Sequence, residues 1–142
     1  MKVREIMTKN VIGVGAEESV EVAARTLAQY NIGALPVCRA DGKLCGMVTD
    51  RDLVIRCVAS GLRPAQTKVR QVMTGQIASV DADMEVSVAA HLMGRQQIRR
   101  LPVTEKGRVC GMVTLGDMAM CEDTALDAAD ALGDITRNIS KR

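Results

Sequence analysis

Two short strings, Thr49-Asp50-Arg51-Asp52 and Thr114-Leu115-Gly116-Asp117, hold most of the polar chemistry that spacing can organise. Each places a threonine hydroxyl three residues ahead of an aspartate, directly after an apolar run. That pattern suits a helix N-cap, where the hydroxyl oxygen accepts a backbone N–H and the carboxylate sits in the favourable first turn. Arg99 and Arg100 precede a second apolar string, Leu101-Pro102-Val103, and read either as anion donors or as a solvated pair. His91 is the single histidine, so any Ser–His or Cys–His nucleophile would depend on that residue alone. Cys38, Cys45, Cys57, Cys110 and Cys121 contain no Cys-x-x-Cys pair and read as small apolar residues of a reducing compartment, with no metal site among them. No Walker phosphate loop is present.

Composition narrows the classes further. The 142 residues suit one domain or two very small ones, and 47% hydrophobic with 25% charged residues is an ordinary globular balance. Lys+Arg 19 against Asp+Glu 17 leaves +2, too weak a field for phosphate-driven nucleic-acid binding. Arg63, Lys68 and Arg70 form at most a thin basic patch. With no Trp, no Phe and one Tyr, base-stacking platforms are excluded, and nine methionines share the core with Val, Ile, Leu and Ala. The opening MKVREIMTKNVIGVG lacks the apolar stretch of a signal peptide, and no apolar run nears the roughly 18 residues of a membrane span. The expectation is a soluble, cytoplasmic protein.

The elements that must position these residues occur twice. VREIMT from Val3 returns as VRQVMT from Val69, and the same offset carries Leu35-Pro36-Val37 onto Leu101-Pro102-Val103. One residue drops out in the following turn, after which Gly46, Thr49 and Asp52 correspond to Gly111, Thr114 and Asp117. Two copies are too few for an open solenoid, so the pattern predicts a closed pseudo-twofold unit. Each copy reads as strand, helix, strand, strand, helix. The predicted parts are a strand over 11–14 echoed at 77–80, a helix capped by Ser19 with Val20, Ala23, Ala24 and Leu27 on one stripe, and its echo through Val86, Ala89, Ala90 and Met93. A strand over 34–37 follows, its proline indicating an edge or a strand start. Turns at Asp41-Gly42 and Lys106-Gly107 precede third strands at 44–48 and 109–113. A helix then opens near Asp52 and carries Leu53, Cys57 and Val58 inward. A polar-faced helix after Cys121, with Leu126, Ala129 and Leu132 as its apolar positions, ends at Gly133, with a tail beyond it.

A pair of such repeats, each closing on Gly-x-x-Thr-x-x-Asp, resembles the cystathionine beta-synthase (CBS) domain pair, also called a Bateman module. Gly46-Met47-Val48-Thr49-Asp50-Arg51-Asp52, Gly111-Met112-Val113-Thr114-Leu115-Gly116-Asp117, both LPV strands and both opening hexapeptides carry the likeness over about residues 1–121. The resemblance implies an α/β (α+β) fold of two pseudo-symmetric βαββα repeats packed sheet to sheet. Repeat 1 spans 1–62, a linker 63–68, repeat 2 spans 69–121, and a C-terminal helix and tail 122–142. It further implies adenine-nucleotide or other adenosyl ligands in clefts between the repeats, with no required cofactor. A regulatory rather than catalytic role and a disc-like homodimer also follow from it. The chain is almost nothing but the pair, so a regulated partner protein is left unidentified.

On that resemblance the paired oxygens of Asp52 and Asp117 would accept the two ribose hydroxyls. Thr49, Thr114, Arg99 and Arg100 would hold phosphate, with Arg51 contributing in the first copy. Adenine would lie against Ile12, Ile32 and Ala34, with Ala78 and Ile98 opposite. Arg99 and Arg100 correspond to Gly33 and Ala34, so the two sites are expected to be unequal, the more anionic ligand going to the second copy. AMP, ADP or ATP are the expected ligands. The alternative is a structural or dimerisation protein that kept the fold and binds no nucleotide, its apolar surface mediating dimerisation and its thiols serving stress or redox roles; separately, Met112, Met118 and Met120 could line an adaptable partner surface. The residues after Cys121 could cover an apolar rim or exchange between protomers.

Overall fold

The computed structural model describes residues 1–140. Helix α1 (Val20–Tyr30) begins at the predicted cap, where extended Ser19 accepts a hydrogen bond from the Val22 amide at 3.2 Å. Val20, Ala23 and Leu27 are buried along its inner stripe, and Asn31 ends it in the left-handed region at φ 52°. Its echo α4 (Val86–Gln96) buries Val86, Ala89, Ala90 and Met93 and ends on Gln97 at φ 58°. One periodic apolar stripe, used twice, therefore yields the same helix twice.

Both predicted hairpins form. Strands β2 (Ala34–Cys38) and β3 (Leu44–Thr49) pair antiparallel, Leu35 opposite Val48 and Val37 opposite Gly46. In the second copy β6 (Arg100–Glu105) and β7 (Arg108–Thr114) set Leu101 opposite Val113 and Val103 opposite Gly111. Lys106 and Gly107 turn that hairpin with φ 53° and 79°, the left-handed pair a two-residue loop requires.

The first strands are shorter than the sequence predicts. They are β1 (Val14–Gly15), parallel to β2, and β5 (Val80–Asp81), parallel to β6. The prolines supply the reason. The Cys38 carbonyl accepts from Ala16 N, so Cys38 faces β1, and Pro36, two residues earlier, faces the same way without an N–H to extend the ladder. Ala82 N and the Thr104 carbonyl repeat the geometry for Pro102. Pro36 and Pro102 are thus neither on edges nor at strand starts, because each points its missing donor past a two-residue partner.

The helix α2 (Asp50–Asp52) continues into a π-wound segment, Leu53–Val58, with Ala59 N on the Val54 carbonyl at 2.8 Å. Leu53 and Cys57 are buried as predicted. The wider turn leaves Val58 63% exposed rather than inward.

The compact units cut across the repeats of the sequence. One, the first-copy unit, is Ile12–Ile77, and the other, the second-copy unit, is Met1–Val11 with the chain from Ala78 onward. Each copy's opening hexapeptide therefore completes the fold of the other. In the first-copy unit α3 (Val69–Val72) buries Val69 and Val72, and β4 (Thr74–Gly75) joins β3 as its outer neighbour. In the second-copy unit Val3 is fully buried, and Thr8 exchanges hydrogen bonds with Met112 of β7 at 2.8 and 3.0 Å. These exchanges explain the motif glycines. A Cβ on Gly46 would lie 2.7 Å from the Thr74 carbonyl oxygen, and one on Gly111 would lie 2.9 Å from that of Thr8.

After α5 (Leu115–Ala119), the last helix, α6 (Ala125–Ser140), runs through Gly133 instead of ending there. Ile135 lies beyond Gly133 and is 2% exposed in the second-copy core, so packing carries the helix past the glycine. Of the tail expected beyond Gly133, residues 134–140 are helical, and residues 141–142 lie outside the described residues.

Candidate functional site

Both Thr-x-x-Asp strings close reciprocal capping boxes. Thr49 Oγ1 accepts from Asp52 N at 3.1 Å while Asp52 Oδ2 accepts from Thr49 N at 3.0 Å. Thr114 and Asp117 repeat this at 3.0 and 2.9 Å. Capping uses the threonine oxygens as acceptors and one oxygen of each aspartate. The hydroxyl protons remain for other acceptors, as do the second carboxylate oxygens.

The two boxes differ in what that second oxygen meets. Asp52 Oδ1 faces Arg56 Nε at 3.8 Å, and the Arg56 guanidinium also donates to the Val72 and Met73 carbonyls at 3.0 and 3.1 Å. Asp52 therefore anchors a cation that fastens the exchanged segment. In the second copy Cys121 stands where Arg56 would be, and Asp117 Oδ1 has no partner among the described residues.

Around the first-copy box, Ala34 pairs with Thr49, and Asp50 N donates to the Gly33 carbonyl at 3.0 Å. Ile12 packs at the edge of that unit's core, whereas Ile32 is 39% exposed and Arg51 is exposed. In the second-copy unit Arg100 pairs with Thr114, Leu115 N donates to the Arg99 carbonyl at 2.9 Å, and Ala78 and Ile98 pack against the core.

This register brings Arg99, Arg100 and Thr114 together in the lining of an open pocket of about 510 Å³. Neither guanidinium has an ion-pair partner among the described residues. The remaining wall is apolar, from Leu115 and Ala119 on α5 and Ala125, Ala128, Ala129 and Leu132 on α6. Asp117 does not line it. Arg99, Arg100 and Thr114 are ligand candidates from sequence, whereas Ala129 and Leu132 are legible there only as apolar positions of a helix; the alanines at helical spacing in 125–129 are the signal for the wall.

Other candidate chemistry is quiet. All five thiols are free, yet only Cys57 is buried, the other four being half-buried rather than fully buried. Desolvation pushes the Cys38, Cys45 and Cys110 thiols above their ordinary range, away from thiolate chemistry. Lys68 and Arg70 both close on Glu17, at 2.6 and 3.1 Å, so a single carboxylate offsets part of the thin basic patch. Met118 is fully buried and unavailable to a partner, whereas Met120 is 89% exposed. Among the described residues no group of three or more His, Cys, Asp or Glu side chains is placed to hold a metal ion. No helix there is long and apolar enough to cross a membrane.

Comparison with known proteins places this geometry. An uncharacterised protein of Bacillus subtilis, YlbB, is 40% identical over 136 residues, covering 95% of this chain and 91% of its own length. The crystal structure of Hypoxic Response Protein I with two coordinated zinc ions is similar at TM-score 0.79 and 38% identity, over 84% of this chain and 98% of that one. The CBS domain pair of protein MJ0100, in complex with 5′-methylthioadenosine and S-adenosyl-L-methionine, matches at TM-score 0.74 and 28% identity, over 84% and 94% of the two chains. The CBS domain model matches residues 3–58 and again 69–121, and with two such copies in one mixed α/β chain, the protein belongs to the CBS domain family.

Proposed function

We propose that this chain is a regulatory module that binds an adenine nucleotide or related adenosyl ligand in its second-copy unit. In this reading it passes the resulting conformational bias to a partner or to its own dimer. The observation that carries the reading is that Arg99 and Arg100, both without ion-pair partners among the described residues, line an otherwise apolar pocket together with Thr114. Two guanidinium groups and a hydroxyl donor match a phosphate. The free Oδ1 of Asp117, beside Thr114 but outside the pocket lining, can accept from a ribose hydroxyl of a ligand that reaches past Thr114. The adenosyl ligands of the MJ0100 pair support the ligand class. The first-copy unit replaces the arginine pair with Gly33 and Ala34 and engages Asp52 with Arg56, which suits an uncharged nucleoside or no ligand.

A ligand shifts such a module only by its differential affinity for two arrangements, typically worth about 1–3 kcal/mol. The lone, exposed His91 and the raised thiols supply no nucleophile–base pair, so we read a sensor rather than a catalyst. Five free thiols fit the reducing cytoplasm. The exposed aliphatic side chains Val54, Ile55 and Val58 favour a homodimer formed through the π-wound segment.

The test is calorimetric titration of folded, ligand-free protein with AMP, ADP, ATP and S-adenosylmethionine. Saturable binding is expected, with the Arg99→Ala/Arg100→Ala double variant weakening AMP about tenfold or more. Both arginines are exposed, so the variant keeps its fold. No heat from any ligand would sink the sensor in favour of a structural, dimerising protein.

A further inference from the structure

Helix α6 lies outside both repeats, and no segment of the first-copy unit corresponds to it in sequence. Ala128, Ala131 and Ile135, spaced i, i+3, i+7, are buried on the second-copy core. The approach to α4 is close: a Cβ on Gly94 would lie 3.4 Å from Ala131 Cα and 2.9 Å from Asp134 Oδ2. At its start, buried Thr124 donates its hydroxyl to the Met118 carbonyl at 2.7 Å, fixing the turn that leads from α5 into α6. The helix is therefore seated by its own contacts, independent of any ligand.

A neighbouring flank of the same helix has a different job. Ala125, Ala129 and Leu132 are not part of the buried core, and together with Ala128 they line the same pocket as Arg99, Arg100 and Thr114. Bulkier side chains at 125 and 129 would fill that space, and nothing in the core packing of α6 demands alanine at position 129, which is exposed.

We propose that α6 is a built-in wall of the ligand pocket. Its alanine flank receives the apolar face of an anionic adenosyl ligand whose phosphate is held by the arginine pair, and it restricts such binding to the second-copy unit. The inference rests on the sensor reading above and adds its specificity element: the repeats supply the anion end, and the segment after them supplies the surface for the base and sugar. Ligand bridging these ends also ties α6 more firmly to the core.

The test pairs two variants with two probes, AMP and uncharged methylthioadenosine. Ala129→Trp is expected to weaken both probes about tenfold or more, because the indole occupies the pocket. Arg99→Ala/Arg100→Ala is expected to weaken AMP alone. Leu126→Trp, at an 82% exposed position of α6 outside the pocket, is expected to bind both probes as the unmodified chain does. Amide exchange across α6 should slow when AMP is added to the unmodified protein. If Ala129→Trp binds both probes unchanged, α6 is not a wall and the sensor reading stands. If Leu126→Trp loses binding equally, a local wall is again overturned, since any bulk on the helix then suffices. If the folded, unmodified chain binds neither probe, the sensor reading falls and the inference falls with it.

Discussion

At the scale of single residues, the glycine of each Gly-x-x-Thr-x-x-Asp string has a steric duty that its sequence context does not advertise. Gly111 lets Met7 and Thr8 pass directly over β7, where a Cβ would meet Met7 Sδ at 2.5 Å and the Thr8 carbonyl oxygen at 2.9 Å. A methionine end can swing aside, but a backbone carbonyl in a ladder cannot. Gly111→Ala and Gly46→Ala should each cost about 1–3 kcal/mol in denaturant unfolding. Gly116→Ala is the contrast: its Cβ would meet only Thr114 Oγ1 at 3.5 Å, inside a helix, so a gain of about 0.5–1 kcal/mol is expected. Equal losses at all three positions would refute the steric account. Charge gives a second prediction at this scale. Arg4 donates to Asp83 at 2.8 Å and also to Glu105, and holds the Asp83 carboxyl below the ordinary carboxylate range. A depressed folded-state value means stability that is present above the unfolded aspartate value, about 3.9, and lost as pH falls through the folded one. The melting-temperature gap between the unmodified protein and Arg4→Met should therefore close on going from about pH 7 to about pH 3. It should be small and salt-sensitive throughout, because these side chains are exposed. A gap that widens in acid would reverse the assignment.

At the scale of elements, the exchanged hexapeptides matter most. Val3 is fully buried in the second-copy core and Val69 in the first-copy core, each contributed by the other repeat's opening segment. Val3→Ala should cost about 2 kcal/mol and lower amide protection from Ala78 onward more than within Ile12–Ile77; Val69→Ala should do the converse. Identical protection patterns would show that the segments are not unit-specific. Periodicity revealed the repeat, both long helices of the copies and both hairpins, because an apolar stripe, an LPV string and a glycine turn are local signals. It could not show which copy an opening hexapeptide completes, since a pattern identical in both copies fits either. Nor could it show the π winding of Leu53–Val58, which leaves Val58 outward against a 3.6-residue expectation. The extent of α6 was hidden for a related reason: Gly133 is a stop signal locally, and only the seat for Ile135 overrides it. In the candidate site, Arg99, Arg100 and Thr114 were legible as polar residues at a strand end and a cap. Ala125 and Ala129 were not, because an alanine announces no chemistry and acquires a role only from the space it leaves.

At the scale of the whole molecule, the first-copy unit presents an aliphatic surface that its chain leaves open. Val54, Ile55 and Val58 are 55%, 49% and 63% exposed on the π-wound segment, and Leu62 just after it is 42% exposed. Scattered apolar residues need no account on a protein surface, but four within nine positions form a patch. The corresponding flank of the second-copy unit differs, since α6 follows α5 there and packs against both α4 and α5. With a net charge of only +2, long-range repulsion does little to keep copies apart. Val58→Asp would place a carboxylate in the centre of an apolar contact, where its desolvation is costly, while leaving the monomer intact because the position is already exposed. Sedimentation equilibrium of the unmodified chain should give twice the 15.2 kDa chain mass, and the variant should return toward 15.2 kDa with its melting profile otherwise preserved. A unit mass for the unmodified protein at all accessible concentrations would remove self-association, and would leave the patch to a different protein that receives the signal.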